Sequence, residues 1–197
     1  MSVLSPRPMR LLIVEFKELH ARHLCRHSQL GINVAHLIAQ FGTWYALYGL
    51  LYWLLGWISG SIPIAIEWLL LVPAAVYLAA LVPNLPPRVF AATWLFLALT
   101  LSAVLWLPAP PFWVYLLMIP VFYKLQSWSH EVYTVETDMT EFNCKYTKGS
   151  VLFVVLLLYE VPIVLNYLLF ERTAENALVD AASIPTCSQE TAGVKAP

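Results

Sequence analysis

Apolar residues lie in five long runs along the chain, at 32–55, 62–82, 89–107, 112–128 and 151–170. About 20 apolar residues in a helix cross a hydrocarbon core of about 30 Å. Backbone that faces lipid must satisfy its own hydrogen bonds, which favours helices. The connections GWISGSIP, PNLPPR and LPAPP are short and rich in Gly or Pro. The pattern predicts an all-α fold, a polytopic membrane helical bundle of about five transmembrane helices.

The segment before the first run has a different pattern. Within 11–27, apolar residues recur at helical spacing with charged residues between them. This pattern predicts an N-terminal amphipathic helix, and the chain divides into three parts. These are a cytosolic or interfacial segment at 1–29, a transmembrane helical bundle at 30–170, and a disordered polar tail at 171–197.

Composition narrows the class of protein. Hydrophobic residues make up 60% of the chain and charged residues 12%. A soluble domain of this size could not bury so much apolar surface, so a soluble enzyme is excluded. The net charge of −1 gives no basic excess for binding nucleic acid. Cys25, Cys144 and Cys187 share no short spacing, so neither a disulfide framework nor a CxxC metal site is indicated.

The positions of Lys and Arg predict the topology. The N-terminal segment is basic, the second loop contains Arg88, and the segment after the fourth run contains Lys145 and Lys148, whereas the first and third loops contain neither residue type. We therefore expect a multi-pass protein with a cytosolic N-terminus, in the inner membrane of a bacterium or the endoplasmic reticulum of a eukaryote. Five crossings would place the C-terminal tail on the opposite side.

All five histidines fall in two segments that this topology brings to one membrane face. His20, His23 and His27 form one helical stripe, His36 lies just inside the first run, and His130 follows the fourth. A break at Gly31 would let His36 approach the stripe. Imidazoles with carboxylates suit iron, manganese or zinc, so His23, His27, His36 and His130 are the candidate metal ligands. A polar face at lipid headgroups and a buried interhelical hydrogen bond are the alternatives; His20 should be dispensable.

Two carboxylates are candidates for catalytic roles. Glu160 lies in the middle of the fifth run, where exposure to lipid is costly, so we expect it to face the bundle interior with a polar partner. It could be a ligand, a proton relay or an interhelical contact. Pro162 should free backbone carbonyls nearby. Glu136 follows His130 in an acidic segment.

Two histidine motifs resemble those of a known family. HSQLGINVAH at 27–36 and QSWSH at 126–130, with Glu136 as the acidic partner, resemble the paired motifs of the Mpo1-like membrane family. This resemblance implies an Fe2+-dependent dioxygenase, an oxidoreductase of lipid metabolism that shortens 2-hydroxy fatty acids by one carbon. Ser129 stands where that family has Gly, and Thr134 where it has an acidic residue.

Two functions remain open from the sequence. The first is an iron-dependent membrane oxygenase with a lipid or fatty-acyl substrate. The second is a non-catalytic membrane subunit or assembly factor that packs against other membrane subunits. In the second case His36 and His130 could hold haem b, or the protein could hold no cofactor at all.

Overall fold

The computed structural model describes residues 14–24, 27–59, 66–133 and 150–171. All regular structure in these ranges is helical, which confirms the all-α class. The predicted tail beyond residue 171 and the candidate Glu136 lie outside the described residues. In chain order the helices are α1 (Phe16–Leu24), α2 (Leu30–Ser59), α3 (Ile66–Leu81), α4 (Pro87–Trp106), α5 (Phe112–Val132) and α6 (Ser150–Asn166), the last continuing as a π-helical turn at Tyr167–Glu171.

Each apolar run corresponds to a helix, but the five-span prediction is not confirmed. Among the described residues, two helical segments are long and apolar enough to cross a membrane, Pro87–Trp106 and Val154–Glu171. Glu67–Leu81 is apolar but shorter. Helices α2 and α5 are longer, at 30 and 21 residues, but they carry histidine, glutamine and many Trp and Tyr residues, which lower their mean hydropathy.

Helix α2 packs most extensively against α5. Three α2 glycines face aromatic rings of α5 or of the residue that follows it: Gly31 faces Tyr133, Gly42 faces Phe122 and Gly49 faces Tyr115. A Cβ at any of these glycines would overlap the ring opposite. Small residues let two helix backbones approach closely, so this stripe of glycines fixes the separation of α2 and α5.

The apolar core lies mainly between α3, α4 and α6. Pro162 interrupts the hydrogen bonds of α6, because proline has no N–H to donate to the carbonyl four residues earlier. The Tyr77 hydroxyl donates to that carbonyl, Leu158 O, at 2.7 Å. The prediction that Pro162 frees a carbonyl is thus confirmed, and α3 supplies the donor. Core side chains that are at most 2% exposed include Leu70, Leu81, Val89, Leu97, Val155 and Ile163.

The polar contacts of α6 are made at the end of the bundle where α2 begins. The Tyr167 hydroxyl donates to Ser28 O at 2.8 Å, and Glu171 Oε2 lies 3.2 Å from His20 Nε2. The Asn84 amide, in the loop between α3 and α4, donates to the Tyr159 hydroxyl at 2.8 Å. The end of α6 therefore lies beside the N-terminal segment, whereas a fifth crossing would have been expected to end at the opposite end of the bundle. The polar residues of α6 described here form their hydrogen bonds and ion pair at this end of the bundle.

Candidate metal centre

Three histidines from three segments meet at the start of α2. His27 precedes α2, His36 lies in its second turn, and His130 lies in the last turn of α5. One ring nitrogen from each lies within 4.8 Å of the others. His27 Nε2 and His130 Nε2 are 3.3 Å apart, and the three ring centroids are separated by 4.6, 4.7 and 5.0 Å. The three residues are close enough to hold one metal ion, as their shared membrane face predicted.

Hydrogen bonds to two of these rings fix which nitrogen carries the proton. His27 Nδ1–H donates to the carbonyl of His23 at 3.1 Å, since a carbonyl can only accept. His36 Nδ1–H donates to Glu160 Oε1 at 2.8 Å. In the neutral form that binds a metal ion, both rings would therefore present Nε2 as a lone pair. His36 Nε2 is buried and has no hydrogen-bond partner among the described residues. A buried acceptor without a partner is costly unless a ligand completes it.

The turn that holds His27 is fixed by Asn33. This side chain is fully buried, and its amide nitrogen donates to His27 O at 2.6 Å and to Gln29 O at 2.9 Å. Its carbonyl Oδ1 lies 3.0 Å from His23 Nε2, which donates. The change of direction thus falls before Leu30, not at Gly31, which is helical, because Asn33 binds the carbonyls of that segment.

His23 packs against the three histidines but does not join them as a ligand. Its ring stacks on that of His27 with centroids 3.9 Å apart and an interplanar angle of 6°. Because its Nε2 donates to Asn33, that nitrogen is not aimed at the other histidines. His23 is absent from the group of three whose ligand atoms converge. The structure therefore separates His23 from the other three candidate ligands.

Burial keeps the rings of His23 and His27 neutral. Loss of solvent is the main cause that lowers the pKa of His23 to about 3, with His36, His20 and Arg22 adding to it and Asn33 opposing it. Burial likewise holds the pKa of His27 far below its usual range, and the neighbouring histidines lower it further. A neutral imidazole is the form that binds a metal ion.

Glu160 has the polar partner expected of it. Its Oε1 accepts from His36 and also from the Gln126 amide, which lies 3.1 Å from His36 Nδ1. Glu160 therefore makes an interhelical contact to a candidate ligand, and its roles as a ligand or a proton relay stay predictions. Carboxylates commonly orient metal-bound histidines in this way. Asn166, by contrast, donates to Glu171 at 2.6 Å, away from the centre.

The centre opens into a cavity of about 310 Å³. Besides the histidines, Gln126 and Glu160, its lining includes Arg22 and several leucines. The sequence interpretation missed Arg22 and did not foresee the role of Asn33. Arg22 directly precedes His23 on the amphipathic helix, and Asn33 lies between two histidines of one motif. These two positions in the sequence were the signals from which their roles could have been predicted.

Three neutral imidazoles with a partly open approach can hold a divalent transition metal. Imidazole suits zinc, copper, iron and nickel. The fit rests on the buried His36 Nε2, which has no hydrogen-bond partner in the part of the chain that the structure describes. Three protein ligands leave further positions for an exogenous ligand, as in catalytic metal sites.

Comparisons with known protein families, curated proteins and solved structures find no match for this chain.

Proposed function

We propose that this protein is an integral membrane Fe2+-dependent oxygenase that acts on a lipid, with a 2-hydroxy fatty acid as the substrate indicated by the family resemblance. The observation that carries the proposal is the convergence of His27, His36 and His130. In two of these rings the far nitrogen is held as a donor to a protein oxygen. Such bonds orient metal ligands and raise their basicity.

Each part of the centre has a defined task. Glu160 keeps the proton on His36 Nδ1, and the His23 carbonyl keeps the proton on His27 Nδ1. Bound iron would supply Lewis acidity and the means to activate dioxygen. The surrounding leucines exclude water and leave room beside the histidines for the polar head of a substrate.

A lipid substrate is supported by a second cavity next to the centre. This groove has a volume of about 570 Å³ and lies between α2, α4, α5 and α6. It is lined by apolar and aromatic side chains such as Leu37, Phe41, Phe96 and Leu165. Leu37 directly follows His36. An acyl chain in the groove would therefore have its head near the metal centre.

We further propose that α2 to α5 cross the membrane and that α6 packs at the cytosolic end. The chain contains 11 Lys and Arg residues, and none lies in the connections 60–65 and 107–111. Four crossings place both of those connections outside and every Lys and Arg inside or at the inner surface, which satisfies the positive-inside rule. The contacts of Tyr167 and Glu171 with the N-terminal segment support this arrangement.

The haem alternative has less support. A porphyrin held between His36 and His130 would need the space between the two rings. The His27 ring lies 4.6 Å from that of His36 and 4.7 Å from that of His130, so it occupies part of this space. A non-catalytic subunit without a metal remains the competing function that the experiment must distinguish.

Metal analysis of the detergent-purified protein tests the proposal. We expect about one iron per chain, no haem absorbance, and consumption of dioxygen with a 2-hydroxy fatty acid. His130→Ala and His36→Ala should lower bound iron at least tenfold, because each removes one of three protein ligands. His20→Gln is the matched control, since His20 contacts Glu171 and lies outside the group of three, and it should keep its iron.

Three results would overturn the proposal in whole or in part. A wild-type protein that holds no metal would favour the non-catalytic subunit, and a His36→Ala protein that keeps full iron would exclude the centre described above. Bound zinc without turnover would keep the metal site and reject the oxygenase.

A further inference from the structure

The cavity beside the three histidines is lined by a cation as well as by apolar side chains. Arg22 lies on α1, is partly buried, and contributes to the same cavity as His27, His36 and His130. The nearest alternative cation on α1, Lys17, is exposed. The apolar part of the lining includes Leu19, Leu156, Leu157 and Ile163.

Arg22 lies next to the centre in the chain as well as in the cavity. It directly precedes His23, whose ring stacks on that of His27 with centroids 3.9 Å apart. Glu160 is the one formal negative charge among the described lining residues, and its Oε1 already accepts from His36 and Gln126. A divalent ion on three neutral imidazoles would add positive charge beside Arg22, so the occupied cavity favours an anionic guest.

We propose that Arg22 binds the carboxylate head of an acyl substrate and thereby selects fatty acids over neutral lipids of the same chain length. A guanidinium binds a carboxylate through two parallel hydrogen bonds, a geometry that fits one planar anion to one Arg. The leucines of the cavity then cover the first carbons of the chain. The inference rests on the proposed function, because the reacting carbon must lie between Arg22 and the metal.

Binding of three water-soluble probes tests the inference: octanoate, 1-octanol and octyl phosphate, each titrated calorimetrically into the purified protein. Wild type should bind octanoate about tenfold or more tightly than 1-octanol, because the charge-assisted bonds are made only to the anion. Arg22→Gln should lose most of this preference while keeping its affinity for 1-octanol and its metal content. Lys17→Gln, on the same helix, should match wild type.

Several outcomes would overturn the inference. These are an Arg22→Gln protein that keeps the preference for octanoate, and a wild type that does not discriminate octanoate from 1-octanol. Octyl phosphate bound more tightly than octanoate, with the same dependence on Arg22, would replace the carboxylate by a phosphate head. Should Arg22→Gln also lose 1-octanol binding, Arg22→Lys decides: a retained preference supports the inference and a lost one rejects it.

The failure of this inference and that of the metal centre can be told apart. A metal-loaded wild type that does not discriminate between the probes removes the role of Arg22 and leaves the oxygenase standing. A metal-free wild type whose preference for octanoate depends on Arg22 removes the oxygenase and leaves a fatty-acid binding protein.

Discussion

The two ends of α2 lie in different chemical surroundings. At its start, Asn33, His36 and Gln40 are 0%, 2% and 7% exposed. At its end, Trp53, Leu54 and Trp57 are 45%, 51% and 82% exposed. Helix α2 thus buries polar residues at its start, while its apolar residues are exposed along its length and most strongly at Trp57, the reverse of what a water-soluble surface requires.

This contrast extends to the whole bundle. The polar contacts between helices described above lie at the end where α2 begins. Exposed Trp106 and Trp113 lie at the other end, on either side of the connection between α4 and α5. This arrangement would suit the proposed metal centre at one membrane surface and tryptophan anchors at the other, where tryptophan rings suit the interface.

The largest expected effect concerns the side of the membrane on which the chain ends. Single-cysteine variants that keep Cys25, Cys144 or Cys187 should all react with a membrane-impermeant maleimide from the cytosolic side only. The reason is that α6 ends beside the N-terminal segment. Ala109→Cys, in the exposed connection between α4 and α5, is the control and should react from the outside.

The same experiment can show whether the two ends of the bundle differ as described. Five crossings predict that Cys187 reacts from the side opposite to Cys25 and Cys144. Labelling of Cys187 from outside would therefore show that α6 crosses the membrane, and the polar contacts at its end would not describe the protein in the bilayer.

The next effect is on metal affinity at the polar end. Glu160→Gln leaves His36 Nδ1–H with a neutral acceptor in place of a carboxylate oxygen. Replacing a partner of a metal-bound histidine commonly costs about 10–100-fold in metal affinity, and we expect a loss in this range. Competition with a chelator of known affinity measures it.

Glu171→Gln is the matched control for Glu160→Gln. Glu171 contacts His20 and Asn166 near the end of α6, and neither belongs to the group of three histidines. Its metal affinity should stay within about twofold of wild type. Equal losses of metal affinity in both variants would mean that the total charge at this end of the bundle, not the hydrogen bond to His36, sets the metal affinity.

The sequence predicts the helices and the meeting of the histidines because both follow from strong signals. Apolar runs locate the helices, and the Lys and Arg residues place His27, His36 and His130 at one face. The direction of α6 could not be predicted in this way. Its length and hydropathy are those of a span, and only the contacts of Tyr167 and Glu171 show where it ends.

The sequence could not predict the role of His23, for a related reason. Spacing of four residues puts His23 and His27 on one helical face, which is typical of paired ligands. Their different roles arise from Asn33, whose Oδ1 accepts a hydrogen bond from His23 Nε2–H, whereas His27 Nε2 faces His130. Hydrogen bonds of this kind depend on where the turn falls, which spacing does not determine.

The smallest effect is on stability and compares two glycines seven residues apart on α2. Gly49 is buried and its missing Cβ would overlap the ring of Tyr115, which is 0% exposed and has no room to move. Gly49→Ala should lower the free energy of unfolding by about 1–3 kcal/mol through overpacking. Gly56 lies toward the tryptophan end and is exposed, so Gly56→Ala should gain up to about 1 kcal/mol from helix propensity. Thermal unfolding in detergent measures both, and a Gly49→Ala protein as stable as Gly56→Ala would show that α2 and α5 are not held as closely as the glycine stripe implies.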